Sequence, residues 1–433
     1  MRSVTSWLEE RSLRELNERP TLRDLKPQAK CSSSEAIIER SAQFIPIIYE
    51  VISLESPIIW AEIDLNAIAH NVRELRRITN PNASLMVAVK ANAYGHGIIE
   101  VARQALKSGA DALGVARVDE GIRLREAGID TPVLIFGYTP PSEAARLYEF
   151  DLIQTVYSYE TARALSDTAS SSDIKINIHL KVDTGMGRLG LLPDSRRAAP
   201  ADRAVEEVKS IAGLAGLKLQ GIFTHFATAD CSDKSYAEKQ FQIFSNFLEQ
   251  LHKAGLEFSV KHAANSGAII DMPQTHLDMV RAGISVYGLY PSDEIDKSRI
   301  KLLPAMSLKA KIIHLKKVPA GFMVSYGITH ETKKPTTIAT IPAGYGDGLS
   351  RLMSSNGHVL VHGQKAPIIG RVCMDLTMMD VGHIPEIKIE DEVVIFGHQG
   401  NASITADEIA RFTNTINYEV VTRISDRVPR VYV

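Results

Sequence analysis

The sequence predicts an α/β fold in which a (β/α)8 barrel of the TIM type is followed by a mainly β C-terminal domain. Short apolar runs alternate with segments of helical periodicity over about 230 residues from Trp60 onward. These runs have the composition of strands buried on both faces, which favours a closed parallel barrel of about eight strands over an open sheet. From about Lys309 the strands become short, with Gly and Pro turns and one clear helix.

The predicted elements of the barrel alternate in chain order. Strands are predicted over 58–65, 84–90, 111–116, 132–137, 152–158, 176–184, 218–226, 257–265 and 279–290. Helices are predicted over 65–78, 97–109, 118–128, 141–150, 159–168, 202–213 and 234–255. The β domain is predicted from strands over 310–318, 336–342, 358–363, 366–372, 377–381 and 391–397, with its helix over 405–415. The chain therefore divides into a partly flexible N-terminal extension (1–57), a barrel (58–304) and a β domain (305–433).

Composition excludes several classes of protein. Apolar residues make up 45% and charged residues 23% of the 433 residues, which argues against a disordered or disulfide-stapled chain. A net charge of −2 provides no basic field for nucleic acid. Three scattered cysteines show no metal-ligand spacing and fit a reducing compartment. The N-terminus lacks an apolar signal region, and the stretch 44–59 is too interrupted to span a membrane. We expect a cytoplasmic protein with no nucleic-acid, membrane or metal partner.

Polar residues follow five of the predicted barrel strands. They are Lys90, Arg188, His225, Asn265, Ser266, Arg281 and Gly283. Functional groups of such barrels lie at the carboxyl ends of the strands. The sequence therefore predicts a binding site in which these groups converge at one mouth of the barrel.

Lys90 is the sharpest candidate among them. Desolvation at the end of a buried strand lowers the pKa of a lysine, and a neutral amine can form a Schiff base with a carbonyl cofactor. A lysine that extends its amine to solvent is the alternative. The residues that follow favour the first interpretation, because Gly95 and Gly97 permit close approach of a ligand and the Tyr94 hydroxyl can bind phosphate.

These motifs resemble the alanine racemase family, the pyridoxal-phosphate enzymes of fold type III. The resemblance extends from about residue 58 to the C-terminus and rests on nine motifs in the family's order. They are VKANAYGHG (89–97), KVDTGMGRLG (181–190), THFATAD (224–230), HAANSG (262–267), VRAGISVYG (280–288), VSYGIT (324–329), PAGYGDG (342–348), RVCMD (371–375) and INYEVVTRISDRVPR (416–430).

The resemblance implies pyridoxal 5′-phosphate as the cofactor and assigns residues to it. Lys90 matches the lysine that bonds covalently to it, and His225 matches the histidine beside its ring. The family's phosphate-binding residues are matched by Tyr94, Ser266, Gly283, Ile284 and Tyr418. Arg281 matches the arginine that faces the pyridine nitrogen, and His262 the residue that orients it. Because arginine stays protonated and can only donate a hydrogen bond, the ring nitrogen is expected to accept that bond and stay unprotonated, which disfavours side reactions such as transamination.

Racemisation requires proton transfer on both faces of the substrate α-carbon. Lys90 and Tyr326 resemble the two catalytic bases of the family, in which the tyrosine comes from the partner subunit. The resemblance thus implies a homodimer with shared active sites. Without the resemblance, Tyr326 would be interpreted as an aromatic residue in a turn rather than as a base.

The substrate side of the site is implied in the same way. Arg188 and Met374 resemble substrate-binding residues, and Asp375 lies in the same segment as Met374. Tyr345 resembles an entrance residue. Lys181 matches a lysine that is carbamylated in many family members, and an ordinary lysine is the equal alternative.

The sequence thus predicts an enzyme that interconverts L-alanine and D-alanine and supplies D-alanine for peptidoglycan. A racemase of serine or another small amino acid is the nearest alternative. A fold type III decarboxylase would carry a glutamate-type partner for the ring nitrogen and a catalytic cysteine, and Arg281 and Tyr326 speak against it. A non-enzymatic pyridoxal-phosphate carrier would resemble the barrel alone.

Overall fold

A computed structural model of the protein describes residues 57–193 and 203–433. The predicted N-terminal extension, except its last residue, lies outside the described residues. The first strand, β1 (Ile59–Ile63), is not part of the barrel. The next strands pair in parallel as a closed barrel, β2 (Ser84–Ala88), β3 (Ala112–Val115), β4 (Val133–Ile135), β5 (Leu152–Val156), β6 (Ile176–Lys181), β7 (Leu217–Phe223), β8 (Val260–His262) and β9 (Met279–Ala282). The predicted barrel of eight strands is confirmed among the described residues.

Helices connect the barrel strands and cover them from outside. They are α1 (Leu65–Ile78), α2 (Ile98–Lys107), α3 (Val118–Glu126), α4 (Ala144–Glu149), α5 (Tyr159–Ser171), α6 (Arg203–Ala212), α7 (Ser235–Lys253) and α8 (Ser266–Asp271). Asp64 caps α1 by accepting from the backbone N–H of Asn66 and Ala67. The apolar faces of the helices form one large core with the outward side chains of the strands. This core fixes the strands whose carboxyl ends carry the predicted site.

The strand predicted over 58–65 belongs to the other sheet. β1 pairs antiparallel with β10 (Met306–Lys311), and its Ala61 and Ile63 lie in the core of the β domain. The physical reason is visible in its alternation, because Glu62 points away from that core and binds Lys309 at 2.9 Å. A strand with one polar face suits an antiparallel sheet, whereas barrel strands are buried on both faces. The prediction that the barrel begins at residue 58 is therefore wrong for this strand.

The remaining strands form the mainly β part of the molecule. They are β11 (His314–Val318), β12 (Met323–Val324), β13 (His330–Glu331), β14 (Thr336–Ile341), β15 (His358–Val361), β16 (Gln364–Pro367), β17 (Thr377–Asp380), β18 (Glu392–Gln399), β19 (Ala402–Ile404) and β20 (Arg430–Tyr432). The largest sheet has the order β16-β15-β18-β10-β1-β20, with β19 paired to β18, and a smaller one has the order β11-β14-β17. β12 and β13 form a short hairpin.

Two helices lie among these strands, where the sequence predicts one. The predicted helix is α9 (Ala406–Phe412), and the second is α10 (Asn417–Thr422). β-Branched residues in α10 lower its intrinsic helix propensity. Tertiary contacts compensate, since the Asn417 side chain donates to Tyr290 O at 2.9 Å and to Asp407 Oδ1 at 2.7 Å. α10 carries Tyr418 toward the mouth of the barrel. Across the described part of the chain, no helix has the length and apolar character needed to cross a membrane.

Candidate active site

A cavity of about 550 Å³ opens at the carboxyl ends of the barrel strands. Eleven of the predicted site residues line it, namely Lys90, Tyr94, Lys181, Arg188, His225, Asn265, Ser266, Arg281, Gly283, Ile284 and Tyr418. Phe136 and Asp230 also line the cavity, and the sequence reasoning did not single them out. The structure therefore brings together the residues that the sequence places on separate strands.

Lys90 lies between the end of β2 and a turn of unusual backbone. The four residues from Ala91 to Tyr94 all have φ values between 52° and 54°. Left-handed backbone costs a non-glycine residue about 1–2 kcal/mol, so surrounding contacts must hold this turn. Glu120 supplies them, because its Oε1 accepts from Ala91 N at 2.6 Å and its Oε2 from Ala116 N at 2.7 Å. Glu120 contacts the turn beside Lys90, and the sequence reasoning did not identify it. Its only local signal is an acidic side chain in the first turn of α3.

Positive charge dominates the cavity. Burial, and then the Arg188 guanidinium, lower the pKa of the Lys90 amine. Burial, and then Arg281 and Arg188, lower the pKa of Lys181 to about 7. The ammonium of Lys181 lies 4.8 Å from the Phe223 ring centroid. The arrangement favours anionic ligands and leaves its lysines easier to deprotonate than free lysine.

A cradle for an anionic group lies between Tyr94, Ser266 and Gly283. Gly283 N donates to Ser266 Oγ at 2.8 Å, and a Cβ on Gly283 would lie 3.0 Å from the Tyr94 hydroxyl. The Tyr94 ring stacks on Tyr287 at 4.8 Å and lies 6.3 Å from the Tyr418 ring. Burial raises the pKa of Tyr94 to about 12, so its hydroxyl keeps the proton that it can donate. These donors fit the phosphate of pyridoxal phosphate, and absence of a Cβ keeps the space between them open.

Arg281 lies within β9, and its hydrogen bonds hold the guanidinium rigidly. Nη2 donates to the carbonyl oxygens of Thr224 at 2.8 Å and Ala263 at 2.9 Å. Nη1 lies 2.9 Å from Nδ1 of His262, and Nη2 lies 3.3 Å from Nδ1 of His225. Burial lowers the pKa of Arg281 to about 9, which leaves it a cation at neutral pH. His262 is fully buried, contacts Arg281 and is not part of the cavity lining, and its role in orienting Arg281 stays a prediction.

Four predicted residues lie elsewhere in this chain. Tyr326, Tyr345, Met374 and Asp375 are absent from the cavity lining among the residues that the structure describes. Tyr326 follows β12 and is 74% exposed. The Asp375 carboxylate accepts from Arg427 Nη2 at 2.6 Å, and Arg427 Nε donates to the buried Asp347 at 2.7 Å. One chain thus builds the cavity without the predicted second base.

Comparison with known proteins agrees with this arrangement. The alanine racemase N-terminal domain family matches residues 63–291, and the alanine racemase C-terminal domain family matches residues 305–432. An alanine racemase of Desulfosudis oleivorans is 54% identical over 376 residues, which is 86% of this chain and 96% of that protein. An alanine racemase of Clostridium difficile superposes with a TM-score of 0.82 at 41% identity, over 88% of this chain and 97% of that one.

One similar solved structure is named for a racemase of a different amino acid. A histidine racemase of Leuconostoc mesenteroides superposes with a TM-score of 0.79 at 28% identity, over 88% of this chain and 99% of that one. The matches to alanine racemases have higher identity and include both domain families. This chain belongs to the alanine racemase family, whose members are isomerases that use pyridoxal 5′-phosphate.

Proposed function

We propose that this protein interconverts L-alanine and D-alanine in the cytoplasm and supplies D-alanine for peptidoglycan. The observation that carries the proposal is the cavity itself, in which a desolvated lysine, a phosphate cradle and a buried arginine lie together. The same residues stand in the family's order along the sequence. High identity to alanine racemases over most of the chain supports alanine as the substrate.

The residues that would hold the cofactor are those of the cavity. Its phosphate would be bound by Tyr94, Ser266, the Gly283 and Ile284 backbone and Tyr418, and its ring would be held by His225 and Arg281. When bound, pyridoxal phosphate supplies an aldehyde that condenses with amines and a conjugated ring that acidifies the α-carbon of an amino acid. The lowered pKa of Lys90 increases the fraction of free amine that can condense.

Arg281 sets the type of reaction. Its guanidinium is a cation at neutral pH and offers only N–H donors, so it does not deliver the full proton that a carboxylic acid would share with a ring nitrogen. Carbonyl oxygens on two loops and His262 hold it in place. The site therefore favours return of a proton to the α-carbon over transfer of the amino group.

Two bases act on opposite faces of the substrate α-carbon. Lys90 removes or returns the proton on one face, and Tyr326 does so on the other. Because Tyr326 is exposed and absent from the cavity lining, we infer that it serves the cavity of a second copy of this chain. Tyr345 and Met374, also exposed, would enter that cavity with it. A homodimer with two shared sites follows from this arrangement.

Arg188 is the proposed partner of the substrate carboxylate. It lies in the loop after β6, where the Asp183 carboxylate accepts from Gly185 N at 2.8 Å and from Arg188 N at 3.2 Å. These bonds fix the backbone while the Arg188 side chain lines the cavity. Another small amino acid remains the alternative substrate, and the solved histidine racemase shows that related proteins act on more than alanine.

A chiral assay of the purified holoenzyme against a panel of L-amino acids tests the proposal. We expect D-alanine to form fastest, with an equilibrium ratio of one when either enantiomer is supplied. Faster conversion of serine or histidine would show that this amino acid, rather than alanine, is the preferred substrate. Cofactor binding without conversion of any amino acid would contradict the enzymatic function.

A further inference from the structure

Two buried histidines extend the hydrogen-bond network of Arg281 into the interior of the barrel. His262, at the end of β8, lies 2.9 Å from Arg281 Nη1 through its Nδ1 and 3.0 Å from His179 Nδ1 through its Nε2. His179 lies in β6. The three side chains are 0%, 5% and 3% exposed for His262, Arg281 and His179. Arg281 also lines the cavity, whereas the two histidines are buried outside its lining, so the hydrogen bond between the two rings is shielded from solvent.

Hydrogen-bond chemistry allows one assignment of donors and acceptors along Arg281, His262 and His179. A guanidinium donates only, so Nδ1 of His262 must accept. Neutral His262 then carries its proton on Nε2 and donates it to His179. His179 Nδ1 must accept, which places the proton of neutral His179 on its own Nε2. Burial lowers the pKa of His179 to about 4 and that of His262 well below its usual range, so both rings are neutral at pH 7.

A glycine packs against the imidazole of His179, the last ring of this network. A Cβ on Gly221 of β7 would lie 2.7 Å from His179 Cε1 and 2.8 Å from its Nδ1, so the imidazole packs directly against the glycine backbone. The rings of His179 and His262 meet edge to face at 5.1 Å, and Phe223 stacks on His262 at 4.6 Å. Packing therefore holds the acceptor nitrogen of His179 toward His262.

We propose that His179 is a positioning residue that fixes the tautomer of His262 and thereby keeps Arg281 aligned as a donor toward the cofactor ring. Without an acceptor at His179, His262 Nε2–H loses its partner, and the tautomer with the proton on Nδ1 presents a donor to a donor at Arg281. That clash would tilt the guanidinium and weaken its control of the ring nitrogen. The proposal rests on the proposed function, although its first test does not.

The first test uses the folded protein before cofactor is added. Nitrogen-15 NMR of histidine-labelled protein, with His262→Gln to assign the signal, is expected to show His262 with a protonated Nε2 and a bare Nδ1. His179→Leu removes the acceptor and is expected to lose this single tautomer, whereas His179→Asn places an amide oxygen near the Nδ1 position and is expected to restore it. An unchanged His262 signal in His179→Leu would overturn the proposal whether or not the enzyme racemises alanine.

The second test uses the loaded enzyme and measures the ratio of transamination to racemisation. We expect the ratio to rise about tenfold in His179→Leu and to return near the wild-type value in His179→Asn. Loss of packing alone would lower stability without moving this ratio. If His179→Leu fails to fold, Gly221→Ala displaces the same ring from the other side and is expected to raise the ratio; an unaltered ratio there would overturn the proposal. Absence of any racemisation would count against the proposed function and leave the NMR result to decide this one.

Discussion

The mouth of the barrel and the loops of the β domain carry the two sets of predicted site residues, and their surroundings are opposite. At the mouth, the predicted site residues other than the exposed Arg188 are buried or half-buried, and positively charged side chains and mutual hydrogen bonds are concentrated there. In the β domain, Tyr326, Met374 and Tyr345 are 74%, 54% and 41% exposed. A buried group has its chemistry set by its neighbours within the chain, whereas an exposed group obtains its environment only on contact with something else.

This contrast supports the proposal that one chain forms only part of a complete site. The barrel completes a cofactor cavity through strand ends that its own core fixes. The loops after β12 and β14 present large apolar and aromatic side chains to solvent, which a monomeric protein seldom exposes as a group. The proposed dimer accounts for both observations with a single contact.

The largest expected effect lies at the mouth. Lys90→Ala removes the amine that condenses with the cofactor, and we expect a colourless protein whose racemase activity falls by at least about 10³-fold. Absorption spectra before and after borohydride treatment, together with the chiral assay, measure this. Lys107→Ala, at an exposed position of α2, is the matched control and should remain coloured and active. A coloured Lys90→Ala protein would remove Lys90 from cofactor binding.

The next effect lies in the β domain. Tyr326→Phe is expected to keep the cofactor and to lose proton transfer on one face, so that isotope exchange from solvent becomes unequal for the two enantiomers. Tyr138→Phe, also an exposed tyrosine, is the control. Equal and normal turnover in both directions would exclude Tyr326 as a base.

Mixing subunits tests the contact between the two regions. Lys90→Ala and Tyr326→Ala proteins, each inactive alone, should recover about one quarter of wild-type activity after subunit exchange, because half of the dimers are mixed and one site of each is intact. Sedimentation measures the dimer in the same samples. No recovery in demonstrably mixed dimers would place both bases in one chain and break the comparison.

A smaller effect is expected in the phosphate cradle. Gly283→Ala introduces a Cβ 3.0 Å from the Tyr94 hydroxyl, and we expect the affinity for pyridoxal phosphate to fall about 10-fold to 100-fold with little loss of folding. Gly213→Ala, where the new Cβ meets only ordinary contacts, serves as the control. Fluorescence titration of the cofactor measures both. Unchanged affinity would show that phosphate binds elsewhere in the cavity.

The smallest expected effect is on the free energy of unfolding at acid pH. Burial lowers the pKa values of His96 and His179 to about 4, so between pH 6.5 and 4 the unfolded chain binds more protons than the folded chain. Their stabilisation is present above pH 6.5 and is lost as pH falls, by up to about 1.4 kcal/mol per pH unit for each ring. Urea unfolding at pH 5 to 7 should show a shallower slope for His179→Leu than for the wild type. His314→Gln, an exposed histidine of the β domain, should leave the slope unchanged.

Much of the fold and half of the site could be predicted from sequence because both depend on local pattern. Alternation of strands and helices fixes a barrel, and residues at strand ends must then meet at one mouth, as Lys90, His225 and Arg281 do. The placement of β1 could not be predicted by the same rule. Its partners, β10 and β20, lie hundreds of residues away, and only its polar Glu62 hinted at a half-exposed sheet.

The sequence by itself determined the family, the order of the motifs and the identity of the reactive groups, since these are properties of residue type and spacing. Tertiary structure alone decided three further features. They are the left-handed turn that Glu120 contacts, the hydrogen-bond contacts among Arg281, His262 and His179 from which we infer the histidine tautomers, and the exposure of Tyr326. Each depends on which distant groups surround a residue, because burial and hydrogen-bond partners, rather than residue type, fix backbone strain, proton position and access.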